Sequence, residues 1–210
     1  MLLHLRGGVL SGWVKPVLSK DDTVNETIAA LWLALSVYNP ELIIAGFTEA
    51  TPCVKSFLGL IRGSGLKSVS RLKGMSLTGR IEEFSGEMSD MPHFIPIMSA
   101  LCADALKPSC ISYEGQGEIS VFERSCSMAE AAGADCMRLS DRFMIKAQTK
   151  RKLPGGIVNT GADWRVVCGG VLLSFLCFGE LTISAAELMD EISPGFWNCF
   201  VNLGGKMEWK

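Results

Sequence analysis

Histidine is scarce in this 210-residue sequence: only His4 and His93 are present. There is no H-E-x-x-H, and the eight cysteines include no C-x-x-C pair. Zinc sites are built from such closely spaced ligands, so neither a metal centre nor a cofactor is expected. Cys102, Cys168 and Cys177 fall inside apolar helix patterns. Reduced, buried thiols are the reading for them. No sign of charge dominates: 20 basic residues face 22 acidic ones. Residues 1–90 carry 9 of each, and residues 91–210 carry 11 basic and 13 acidic. Neither nucleic acid nor an anionic membrane surface is indicated. The longest apolar run, Val166 to Gly179, has 14 residues between Arg165 and Glu180. A membrane span needs about 20, so a buried helix is expected instead. The N-terminus has no long apolar signal core, and a cytoplasmic location is the expectation. G-x-G-x-x-G, Walker and G-x-S-x-G patterns are all missing.

What is abundant is apolar surface. Apolar residues make up 48% of the chain, with 22 glycines and a mean hydropathy of +0.28. That suffices for a sizeable core without staples. The apolar residues are organised as an internal repeat with a period of roughly 70 residues. The first unit has a helix pattern at 24–37, a β-rich run at 41–45, a second helix at 52–62 and a hairpin-like stretch at 66–84. The second runs 92–105, 109–113, 120–132 and 135–147. The third runs 163–178, 180–184, 194–203 and 206–210. Thr51-Pro52 and Ser193-Pro194 each predict an N-cap followed by proline at the first helical position. Gly63, Gly133 and Gly204 follow the second helix of each unit, where a left-handed cap belongs. Phe196, Cys199, Phe200 and Leu203 fall on one helix face, as do Val54, Phe57, Leu58 and Ile61.

The reading is an α/β (α+β) chain of three β-α-β-α-β-β units, at about 20–85, 90–148 and 156–210, forming a single domain over 1–210. The third unit lacks a strand, since only a few residues follow Gly205. Residues 1–18 are β-compatible and are expected to close it.

Three units of this kind resemble one domain of the enolpyruvyl transferases of the EPSP synthase (3-phosphoshikimate 1-carboxyvinyltransferase) type. The resemblance is clearest over Ser89–Phe200. Met91-Pro92-His93-Phe94-Ile95-Pro96 resembles a segment with I/M-P-D before a helix. Glu118 to Ala134 resembles the helix that opens K-E-S/T-D-R and ends L-G-A. Thr160-Gly161-Ala162-Asp163-Trp164-Arg165 resembles N-D-H-R, and Ser193-Pro194-Gly195-Phe196-Trp197 resembles the family's C-terminal aromatic motif. Gly12 to Lys20 echoes the opening strand and its P-G-S-K. A full member has about twice this length and two such domains, so the resemblance covers one of them.

The resemblance implies enolpyruvyl transfer from phosphoenolpyruvate to shikimate 3-phosphate. It implies sites for phosphate and carboxylate, an acid–base pair and closure by a second domain. Arg165 and Asp163 match N-D-H-R, with Trp164 in place of its histidine. Arg124 matches the arginine of K-E-S-D-R, and Lys20 the lysine of S-K. These four are the substrate-binding candidates. His93 stands at the catalytic aspartate, and Glu191 at a lysine that binds phosphoenolpyruvate. At about 4 Å and a dielectric of about 20, two unit charges interact by about 4 kcal/mol, so that exchange turns attraction into repulsion.

Each residue has a plainer reading. Arg165 could sit at the surface, Arg124 on a solvated helix face, Lys20 in an ordinary loop, and His93 in a turn. The basic run Lys146, Lys150, Arg151 and Lys152 with Arg142 reads as a solvated hairpin end, or as an anion site. Two functions therefore stand at this point. One is an enzyme component acting on phosphoenolpyruvate or another small phosphorylated anion, with a second chain supplying the missing domain. The other is a non-catalytic remnant that binds an anionic metabolite or a protein. The related UDP-N-acetylglucosamine enolpyruvyl transferases are a weaker match, because the C-terminal S-P-x-F-W follows the EPSP type.

Overall fold

The computed structural model describes all residues except 7, 18, 116 and 148–151. The element order is β1 (Leu2–Arg6), β2 (Gly12–Val14), α1 (Asp22–Tyr38), β3 (Leu42–Ala45), α2 (Pro52–Leu60), β4 (Leu66–Arg71) and β5 (Gly74–Gly79). Then come β6 (Ser85–Glu87), a 3-10 turn (Pro92–Phe94), α3 (Ile95–Cys102), β7 (Ser109–Ser112), α4 (Ile119–Ala131), β8 (Cys136–Arg138) and β9 (Arg142–Ile145). The last part is β10 (Gly156–Val158), α5 (Trp164–Ser174), β11 (Leu181–Ser184), α6 (Leu188–Ile192), α7 (Phe196–Asn202) and β12 (Lys206–Trp209).

Three four-stranded sheets repeat one strand order: β2-β3-β5-β4, β6-β7-β9-β8 and β10-β11-β1-β12. In each, the first two strands are parallel and the remaining pairs antiparallel. β1 therefore occupies the place that β5 and β9 hold in the other sheets. Leu3 faces Ile183 on one side and Trp209 on the other. The closing role expected of the N-terminus falls to Leu2–Arg6 alone. Gly12–Val14 instead opens the first unit, paired parallel with Leu42–Ile44. The opening strands of all three units have three residues each, too few to show an alternation in sequence.

Beyond their first turns, helices α1, α3 and α5 are apolar all round and lie buried, packed against one another. The second helices are amphipathic, and the sheets cover the outside. On β1, for example, Leu3 and Leu5 point inward while Arg6 is exposed. Among the described residues the buried His4 Nε2 and Glu187 Oε2 have no hydrogen-bond partner, but other polar groups in the core do. Ser36 Oγ accepts from the Leu77 amide at 2.7 Å, and Asn39 Oδ1 from the Leu10 amide at 2.7 Å. Gly63, Gly133 and Gly204 adopt φ of 81°, 100° and 105°, the left-handed caps expected of them. Thr51 precedes Pro52 as N-cap but makes no side-chain cap bond. Ser193 is the C-cap of α6 rather than the N-cap of α7, which starts at Phe196 behind the left-handed Gly195 (φ 78°). A short helix, α6, occupies the connection before it.

The helix core depends on close approach at Gly169. A Cβ there would lie 2.7 Å from the Pro96 carbonyl oxygen and from the Met128 side chain. Backbone cannot yield as a flexible side chain can. Gly169→Val is expected to cost about 1–3 kcal/mol or more in urea unfolding. Gly59→Ala on α2, where nothing lies within 4 Å, is expected to be neutral or stabilising by up to about 1 kcal/mol. Equal effects at the two positions would contradict this packing.

Candidate functional site

Sequence locates the site candidates at helix starts, and the fold brings those starts together. Asp163 is the N-cap of α5, in extended conformation, and its Oδ1 accepts from the Arg165 amide at 2.9 Å. The turn before it is strained. Gly161 and Ala162 are both left-handed, at φ 60° and 58°, a conformation that alanine rarely adopts. Thr160 holds this turn down: its amide donates to Ser184 Oγ at 3.0 Å, and its hydroxyl to the Ser184 carbonyl at 2.9 Å.

Arg165 is not a surface charge. Its side chain is 16% exposed, and its guanidinium is shared between two carboxylates. Nε donates to Asp163 Oδ1 at 3.0 Å, and Nη2 to Asp163 Oδ2 at 2.8 Å and Glu118 Oε2 at 3.0 Å. Burial opposes the charge, but the bonds to Asp163 and Glu118 outweigh it and hold Arg165 protonated above its ordinary range. Glu118 precedes α4, so this contact ties the starts of α4 and α5.

Arg124, one turn into α4, is half-buried over the same turn: a Cβ on Gly161 would overlap its guanidinium. Among the described residues it is in no ion pair. Val121 and Phe122, which stand where the resemblance has lysine, are buried in the core.

His93 lies in the 3-10 turn ahead of α3, buried against Phe94 with ring centroids 4.1 Å apart. Its Nε2 meets Glu26 Oε2 at 3.1 Å. Glu26 belongs to α1, and its other oxygen accepts from Ser56 Oγ on α2 at 2.8 Å. Burial pushes the His93 pKa below its ordinary 6.5; Glu26 opposes this, and the nearby positive charge of Arg165 adds to it. The starts of α1, α3 and α5 thus converge, linked through Glu26, His93 and Arg165.

Lys20 lies in the exposed segment before α1, whose N-cap is Asp21. It has no ion pair among the described residues and does not touch Arg165 or Arg124 through a hydrogen bond. Glu191 is exposed near the end of α6, also without an ion pair among the described residues. Of the basic hairpin, Arg142 pairs with Asp141 at 2.6 Å and Lys146 with Asp135 at 2.8 Å, all exposed. Lys150 and Arg151 lie outside the described residues.

Glu26, Glu118 and Ser56 were not singled out by sequence. Glu26 had a signal: it is the one charged side chain of α1 beyond Asp22, just ahead of the buried run Thr27–Ser36. Glu118 was visible only as a helix boundary.

This arrangement of sheets and helix starts can be set beside known proteins. A family model for EPSP synthase (3-phosphoshikimate 1-carboxyvinyltransferase) matches residues 67–200. The chain belongs to that family. A 3-phosphoshikimate 1-carboxyvinyltransferase of Clostridium novyi is 29% identical over 127 residues, which is 59% of this chain and 29% of that protein. The enzyme of Clostridium kluyveri is 28% identical over the same length. EPSP synthase from Acinetobacter baumannii superposes with a TM-score of 0.71 at 16% identity, covering 88% of this chain and 46% of that one. A second structure of it gives 0.67 at 14% identity. These superpositions establish the EPSP synthase fold. The chain spans under a third of the curated relatives and about half of the solved structures. Among the described residues no helix is long and apolar enough to cross a membrane.

The His93 environment gives a pH prediction. The folded protein holds His93 neutral where the unfolded chain would protonate it. Its contribution to stability is therefore complete above about pH 6.5 and is lost as pH falls toward the depressed folded value. An NMR titration of His93 is expected to have its midpoint below 6.5. Glu26→Gln should lower it further, and Arg165→Gln should raise it. A midpoint above 6.5 in the parent protein would contradict the geometry.

Proposed function

We propose that this chain is one half of an enolpyruvyl-transfer site and does not turn over substrate alone. The observation that carries the reading is the charge inventory at the converging helix starts. With His93 neutral, the cluster carries two cations, Arg165 and Arg124, and three carboxylates, of which Asp163 and Glu118 bind Arg165 and Glu26 binds His93. Helix N-termini favour anions, but the local side chains have already answered that field.

On this reading Arg165 and Arg124 take the phosphate of phosphoenolpyruvate or a related small anion. His93, backed by Glu26, stands where a base receives the hydroxyl proton. Its low pKa leaves the imidazole free to accept a proton at neutral pH. Arg165 becomes available only when Glu118 releases it. A second chain or domain that draws Glu118 away and excludes water would complete the site. Glu191, an anion where the resemblance has lysine, further weakens binding by this half alone. The second reading is a non-catalytic remnant that binds anions or protein. It is favoured by the same pinning of Arg165.

Calorimetric titration of the chain with phosphoenolpyruvate and shikimate 3-phosphate, separately and together, tests this. The parent chain is expected to bind weakly and to release no phosphate. Glu118→Gln is expected to bind phosphoenolpyruvate about tenfold more tightly. The Glu118 side chain is 41% exposed, so removing its charge is worth nearer the roughly 1 kcal/mol of water than the roughly 4 kcal/mol of a dielectric of about 20. Turnover by the chain alone would overturn the half-site reading. Unchanged or weaker binding by Glu118→Gln would remove Arg165 as the anion ligand and leave the remnant reading.

His93→Asp alone would place a second carboxylate against Glu26, 3.1 Å from the present ring nitrogen. His93→Asp is therefore best combined with Glu26→Gln and Glu191→Lys. That triple variant should bind phosphoenolpyruvate more tightly than the parent. No gain would show that the other half of the site, rather than these positions, limits binding.

A further inference from the structure

Away from the helix starts, the second unit brings Cys136 to two side chains that share one face of α4. Cys126 and Glu130 lie one turn apart on α4, and Cys136 is on the edge strand β8 that follows. The two sulfurs and a Glu130 oxygen all lie within 4.8 Å of one another. Cys126 Sγ is 3.8 Å from Glu130 Oε1. Cys126 is buried, Cys136 half-buried and Glu130 exposed, so the cluster runs from the core to the surface. Cys126 also lines a cavity of about 140 Å³ together with Glu123, Arg138 and Phe143.

We propose that Cys126, Cys136 and Glu130 form a binding site for a soft divalent cation of the zinc type. Around a tetrahedral ion with Zn–S near 2.3 Å and Zn–O near 2.0 Å, ligand atoms sit about 3.5–3.8 Å apart. The present separations reach this by small side-chain rotations. Binding deprotonates both thiols, releases two protons and leaves the fourth position to water from the cavity.

Arg138 completes the arrangement. Its Nε donates to Glu130 Oε1 at 3.2 Å, and its Nη2 bonds Glu130 Oε2 and Ser127 Oγ, the latter at 2.8 Å. It fixes the carboxylate with one oxygen turned toward Cys126. A dication with two thiolates and one carboxylate has net charge −1, which Arg138 balances. Ligands so oriented by an outer partner are characteristic of metal sites. Arg124 lies two residues before Cys126, about 200° around the helix, so this site is separate from the anion site and does not depend on it.

The test titrates the reduced, full-length protein with Co²⁺ and then displaces it with Zn²⁺. One equivalent of thiolate-to-cobalt charge-transfer absorption is expected, and Zn²⁺ should abolish it. Cys136→Ser and Cys126→Ser should each lose the absorption, while Cys110→Ser keeps it. Cys136 is the safer variant, because Cys126 is a core residue; circular dichroism checks that each folds. Glu130→Gln should keep the absorption and bind more weakly. Arg138→Gln should bind about tenfold more weakly. No absorption in the parent, or absorption that survives Cys136→Ser, would overturn the site. So would a reduced protein that binds no metal but forms a Cys126–Cys136 disulfide in air.

Discussion

Three helices that are apolar on every face beyond their first turns must bury every face there, and that constraint organises this protein. α1, α3 and α5 can do so only by packing on one another and under the sheets of their own units. Gly169 lets two of them approach to backbone contact. Once the helices lie together, the sheets are forced outside, and each sheet needs four strands to cover its share. The third unit reaches four only by taking β1 from the other end of the chain. The chain termini consequently pair, with the Leu2 and Lys210 amides and carbonyls exchanging bonds of 3.2 and 3.0 Å.

The same packing explains the site. Equivalent helices in equivalent units point their N-termini to one end, where their partial positive charges add. A protein can leave such a field open for an anion or fill it with carboxylates. This chain fills much of it: Glu26 holds His93, and Asp163 and Glu118 hold Arg165. What an EPSP synthase fold binds is therefore set by these side chains and not by the family alone. The fold supplies the field, and a few side chains decide who occupies it.

Much of this was legible in sequence, for physical reasons. The fold class and the three-unit repeat follow from helical periodicity, glycine caps and the count of strands, and closure by the N-terminus follows in part, through Leu2–Arg6 rather than all of residues 1–18. Phe196, Phe200 and Leu203 announce a buried face, and they are buried. Three-residue strands carry no periodic signal: Gly12–Val14 shows in sequence only through the resemblance to an opening strand, and Ser85–Glu87 does not show at all. Ser193-Pro194 looks like a helix start, but the left-handed Gly195 delays the helix by two residues. The pairings of Glu26 with His93 and of Glu118 with Arg165 cross between units, so no local spacing reveals them. Cys126 and Cys136 meet because the Gly133 turn folds β8 back beside α4, and the absence of C-x-x-C pointed the other way.

The central claim is that three buried helices and one borrowed strand form a single cooperative core. Native-state hydrogen exchange measures this most directly. The slow amides of Ile28–Leu35, Ile97–Cys102 and Val166–Leu173, together with Leu3 and Leu5 on β1, should exchange with one shared free energy equal to that of global unfolding. Exchange of one unit's helix, or of β1, at a free energy well below the others would contradict the claim and show that the units open separately.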